Sequence, residues 1–164
     1  MKPRLDRMRW PMLALSAVLI GGWVAKESGW RVNITGSLPG MFYRVSEDPA
    51  RGDYFQFCPP FVVAAIPDAK PGEPSCSGKM PLIKRVVAVA GDRVVVDDAG
   101  VSINGKRLPG STPKRFTRDG SPLPSAVGMH VLAAGQVWGA GEHSDSFDSR
   151  YFGPVNTASS RGAL

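Results

Sequence analysis

The chain has 164 residues, a formal charge of +6, two cysteines, and 19 glycines with 15 prolines. That length suits one ordinary domain with a single core, and the turn content lies below the level of a disordered chain. Residues 31–164 hold fifteen Lys/Arg against twelve acids, with no dense basic run interleaved with aromatics, so a nucleic-acid binder is disfavoured.

The N-terminus carries Lys2, Arg4, Arg7 and Arg9 against Asp6, and an uncharged, largely apolar run follows from Trp10 to Ala25 before Lys26 and Glu27. Sixteen residues fall short of the roughly 20 that span a bilayer comfortably. The exit reads Gly-Gly-Trp-Val-Ala-Lys, and bulky Trp23 and Val24 spoil the small-residue pattern of a cleavable signal peptide. Trp10, Trp23 and Trp30 suit the interfacial positions of an anchor that stays. The expected organisation is a basic cytoplasmic segment at 1–9, a single-pass anchor at 10–25, and an extracytoplasmic, periplasmic domain at 26–164. In that compartment Cys58 and Cys76, which flank a Pro/Ala-rich loop, are expected to form a disulfide.

Beyond the anchor, Gly36, Pro39 and Gly40 punctuate a tight turn around Ser37, and a strand follows at Met41–Val45. A serine nucleophile needs an exposed hydroxyl, a base and N–H groups aimed at the oxyanion; taken alone, this stretch is better read as a surface turn with a capping serine. Tyr54–Phe57 reads as the next strand, and the apolar run Phe61–Ile66 leaves its type open.

Met80 to Asp92 has the β-branched composition of a strand ending at a Gly-Asp turn, interrupted by Lys84 and Arg85. Alternation puts Lys84 on one face with Leu82, Val86 and Ala88, and Arg85 on the other with Ile83 and Val87. Lys84 therefore either snorkels to water from an edge strand or is buried, where it must be paired or lose its proton and become a base.

Arg93–Val96 and Val101–Ile103 continue an antiparallel meander, and Asn104-Gly105 is the preferred pair for a two-residue hairpin turn. Pro109–Gly128, with four prolines, reads as an irregular excursion, and Met129–Ala133 and Gln136–Trp138 as closing strands. Glu142–Pro154 reads as a polar loop returning to an aromatic turn; its acids miss the calcium-loop spacing. His130 and His143 lack a ligand pattern, so no metal is expected.

Three stretches in this order, Thr35-Gly36-Ser37, the Lys84-Arg85 strand ending in Gly91-Asp92, and Ser146-Phe147-Asp148-Ser149-Arg150, resemble the motifs of type I signal peptidases. The hairpin at Ile103-Asn104-Gly105 matches the region after that family's lysine motif. The tight Ser37-Leu38-Pro39-Gly40, the single short anchor, Phe57-Cys58-Pro59-Pro60 and Asp148–Pro154 look most like the TraF-type peptidases of conjugative transfer. The resemblance implies a mainly β, antiparallel signal-peptidase-like domain and a serine endopeptidase that needs no cofactor. It implies a Ser37–Lys84 dyad, an oxyanion hole from the Ser37 N–H and the Thr35 hydroxyl, Ser146 orienting the amine, and an Asp148–Arg150 pair holding the loop. The implied partner is a protein substrate, a pilin precursor whose ends some members join into a ring. A general signal peptidase and a catalytically silent envelope scaffold are the competing readings. Self-cleaving repressors share Ser-Lys chemistry but carry a DNA-binding domain where this chain has its apolar segment.

Overall fold

The computed structural model describes residues 4–33, 37–59, 76 and 80–158. Thr35 and the run Phe61–Ile66 lie outside the described residues. Helix α1 (Arg4–Glu27) covers the basic-apolar segment. Its large side chains are exposed all round, from Trp10 at 77% and Val18 at 71% to Trp23 at 64%. Among the described residues, no helix is long and apolar enough to cross a membrane.

Directly after α1, strands β1 (Trp30–Val32) and β2 (Phe42–Arg44) form an antiparallel pair with Val32 opposite Phe42. The turn carrying Ser37 lies in the connection between them. Strand β1 lies outside the sequence expectations: three residues that alternate exposed, half-buried, exposed leave no periodic signal.

Strand β3 (Tyr54–Phe57) and β4 (Leu82–Ala88) pair antiparallel, with Phe55 opposite Lys84. On β4 the buried positions are Lys84, Val86 and Ala88, and Arg85 is exposed, as alternation requires. The disulfide Cys58–Cys76 is formed, with Cα atoms 5.1 Å apart, and ties the end of β3 to the segment leading into β4.

The meander begins one strand later than expected. Gly91 (φ +87°) and Asp92 turn a corner between sheets instead of closing a hairpin. The Val89 N–H and the Asn104 amide both donate to the Asp92 carboxylate, at 2.7 and 2.8 Å, and the Gly91 N–H donates to the Leu132 carbonyl. The chain thereby leaves the first sheet and enters β5 (Arg93–Asp97), β6 (Gly100–Ile103) and β7 (Lys106–Arg107). Asn104 (φ +50°) and Gly105 (φ +83°) make the predicted two-residue turn between β6 and β7.

After the excursion, β8 (Gly128–Val131) pairs with β5, giving a sheet of order β7-β6-β5-β8. Strand β9 (Gln136–Ala140) returns beside β4, a short helix α2 (Ser149–Phe152) follows, and β10 (Val155–Asn156) pairs with β9. The first sheet has the order β10-β9-β4-β3. One buried cluster joins Trp138 and Ala88 to Val94, Val96, Val101 and Leu132; another joins Phe55, Phe57 and Val86 to Val137 and Val155. Lys84 belongs to a central strand, flanked by β3 and β9, and the snorkelling reading fails for that reason.

Candidate active site

Lys84 is 2% exposed, and its Nζ donates to the Ser146 hydroxyl at 2.9 Å. Burial pushes the Lys84 ammonium down to about 8; the Asp148 carboxylate opposes that shift and the Arg150 guanidinium adds to it. An amine with that affinity is neutral in roughly one molecule in ten at pH 7, against about one in a few thousand for a solvated lysine. The strand creates this environment by putting Lys84 between Phe55 of β3 and the glycine-lined end of β9.

Two glycines on β9 and its exit make room for the lysine and the serine. A Cβ at Gly139 would stand 2.9 Å from Phe55 Cε1 and 3.0 Å from Lys84 Cβ. A Cβ at Gly141 would stand 1.9 Å from Ser146 Oγ and 3.1 Å from the Ser37 carbonyl oxygen. The Ser37 main chain and the Ser146 hydroxyl therefore close over the same bare backbone. Neither glycine was among the sequence candidates, although a glycine inside an apolar strand is a known sign of close approach.

Ser146 is fixed by its loop. Its N–H donates to the His143 carbonyl at 3.0 Å, and Asp148 behind it caps α2. Arg150 donates to Asp148 through Nε at 2.8 Å and Nη2 at 2.9 Å, a forked pair with both side chains at most 2% exposed. Asp148 Oδ2 also accepts from the Gly141 N–H at 2.9 Å, and Ser149 Oγ accepts from the Gly139 N–H at 3.0 Å. Arg150 Nη1 reaches the carbonyls of Gly110 and Ser144, and the Ala126 N–H donates to the Arg150 carbonyl. Lys114 and Arg118 pair with Asp145. The proline-rich excursion is thus lashed to the loop that presents Ser146.

Ser37 is half-buried, and Leu38 beside it is 4% exposed. The Ser37 carbonyl accepts from the Glu142 N–H at 3.0 Å and the His143 N–H at 3.4 Å, so the turn sits against the same loop. The Asn33 amide donates to the carbonyls of Leu38 and Gly40, each at 3.1 Å. Arg85, on the opposite face of β4, is half-exposed and lies 4.0 Å from Glu142. The structure thus gathers Lys84, Ser146, Asp148 and Arg150 into one buried cluster and docks the Ser37 turn against its edge.

A family described as signal peptidase, peptidase S26, matches residues 16–164. The plasmid transfer protein TraF of Escherichia coli is 38% identical over 149 residues, covering 86% of this chain and 83% of that protein. The conjugal transfer protein TraF of Agrobacterium tumefaciens is 34% identical over 150 residues, covering 87% and 80%. A crystal structure of a signal peptidase I from Enterococcus faecalis aligns over 73% of this chain and 98% of its own with a TM-score of 0.40 and 24% identity. Both the family match and the TraF relatives extend over most of the chain, which belongs to the signal peptidase family, peptidase S26, on the side of the conjugal TraF proteins.

Proposed function

We propose that this protein is a membrane-anchored serine endopeptidase that matures a pilin precursor for conjugative transfer, with Ser37 as nucleophile and Lys84 as general base. The observation that carries this reading is the buried Lys84 amine, held at 2.9 Å by Ser146 beside the Ser37 turn. TraF relatives named for plasmid transfer and for conjugal transfer support a role in conjugation.

In this mechanism neutral Lys84 takes the Ser37 hydroxyl proton as Ser37 Oγ attacks the scissile carbonyl. The Ser37 N–H, with the Thr35 hydroxyl, stabilises the oxyanion. Protonated Lys84 then gives its proton to the departing amine, leaving an acyl-ester on Ser37. Water resolves that ester by hydrolysis, and an amine of the same substrate resolves it by cyclisation. Ser146 aims the Lys84 amine, while Asp148 and Arg150 hold the loop.

The anchor rests on residues 10–25, with 1–9 in the cytoplasm and 26–164 in the periplasm. A helix that is apolar all round needs an apolar surrounding, and among the described residues no protein layer covers the exposed leucines, isoleucine and valines of α1. Its uncharged stretch is about 24 Å long at 1.5 Å per residue, so Arg9 and Lys26 would snorkel to reach the two interfaces of a roughly 30 Å core.

Cells carrying the pilin precursor with the wild-type enzyme should yield a shortened pilin, and Ser37→Ala cells only the precursor, by intact mass. A further loss of one water from the cleaved mass marks cyclisation. Loss of viability instead of loss of conjugation in Ser37→Ala cells would assign the protein to general export.

A further inference from the structure

The turn that carries Ser37 is gripped at both ends by one pair of tyrosines. At its far end the Gly40 N–H donates to the Tyr43 hydroxyl at 2.5 Å. At its near end the Ser37 carbonyl accepts from the Glu142 N–H, and the Glu142 carboxylate in turn accepts from the Tyr54 hydroxyl at 3.2 Å. The two rings touch, with centroids 4.6 Å apart and planes tilted by 58°. Tyr43 comes from β2 and Tyr54 from β3, so the pair also locks the hairpin of the Ser37 turn to the sheet of Lys84.

Two details single these contacts out from ordinary space-filling. A Cβ at Gly40 would stand 2.8 Å from the Tyr43 oxygen, so the phenol reaches the turn only because that position is glycine. Burial and the neighbouring Glu142 charge raise the Tyr54 phenol above its ordinary range, so it remains a donor into alkaline pH.

We propose that Tyr43 and Tyr54 are positioning residues that fix the Ser37–Gly40 turn, Tyr43 directly and Tyr54 through Glu142, in register with the Lys84 amine. This rests on the assignment of Ser37 as nucleophile. A nucleophile on a half-exposed turn loses about a hundredfold in rate for a displacement of about 1 Å, so two hydrogen bonds that set its position act on rate more than on binding.

The test uses the full-length protein in detergent and the acylation burst with an N-acyl-alanine p-nitrophenyl ester. Tyr43→Phe and Tyr54→Phe keep the tilted ring contact and remove one oxygen each. Each should slow acylation roughly tenfold with KM and thermal midpoint little changed, and with the pH midpoint of acylation unmoved, since neither touches Lys84. Glu142→Ala should reproduce Tyr54→Phe, the double variant should lose no more than either, and Glu142→Gln, which keeps an acceptor, should recover most of the rate. Wild-type acylation in both tyrosine variants, or additive losses at Tyr54 and Glu142, would overturn the clamp. A burst that survives in Ser37→Ala would instead remove the nucleophile assignment on which it stands.

Discussion

The Nζ of Lys84 and the Oγ of Ser146 lie 2.9 Å apart in a site where both residues are at most 3% exposed. A buried ammonium with a hydroxyl as its hydrogen-bond partner is poorly compensated, because a hydroxyl carries no charge to offset desolvation. The carboxylate that could compensate it, Asp148, is already forked onto Arg150. The loop therefore supplies the amine with orientation and withholds a dedicated counter-ion, and the balance is a lysine poised near neutrality.

Ser146→Ala removes the orienting hydroxyl without adding bulk. Precursor processing should fall by about ten- to a hundredfold while the folded population in a denaturation curve stays near that of the wild type. Wild-type processing would show that the amine needs no partner.

Gly141→Ala puts a methyl where Ser146 Oγ now lies, 1.9 Å from the new Cβ. Neither the serine nor the Ser37 main chain on the other side can yield without moving the loop. Processing should be abolished and the thermal midpoint lowered, whereas Gly105→Ala, where a Cβ meets nothing, should lower stability modestly through its positive φ and leave catalysis intact.

Asp148→Asn tests the pair behind the site. Leaving Arg150 buried beside a neutral amide should destabilise the domain by about 3–5 kcal/mol in urea denaturation. The lost negative charge had favoured the protonated Lys84, so the pH midpoint of acylation should also move down. An upward movement would mean that Asp148 does not act on Lys84 in that way.

Much of this site was legible along the chain, and what was missed has physical reasons. Alternation along β4 separated Lys84 from Arg85, because a two-residue period survives wherever a strand buries one face. The Asn104-Gly105 turn was legible because positive φ at both positions narrows the choice of residue. The sheet change at Gly91-Asp92 was not, because the same dipeptide serves a hairpin or a corner and only the contacts from Asn104 and Leu132 decide. Helix α2 was hidden because four residues carry no helical period. The roles of Gly139 and Gly141 depend on what crosses them from β3, β4 and the Ser146 loop, which spacing cannot show.

Lys84→Met should stabilise the fold while ending catalysis. The folded-state pKa of about 8 lies below the ordinary value of 10.5, so between those limits the unfolded chain binds more protons and wild-type stability rises with pH. The penalty is complete below about pH 8, where Lys84→Met should be more stable by on the order of 3 kcal/mol, and it fades as pH approaches 10.5. Urea denaturation at neutral and alkaline pH reads both ends; a variant less stable than wild type at neutral pH would contradict the sign.

The most direct test of the Ser37–Lys84 assignment is the pH dependence of the acylation burst on Ser37, read by ester hydrolysis and confirmed by the mass of the acyl-enzyme. The rate should rise with pH through a single midpoint near 8 as Lys84 loses its proton, and Lys84→Ala should abolish it in a protein that still folds. A rate independent of pH from 6 to 9, or a Lys84→Ala variant that acylates normally, would contradict the dyad.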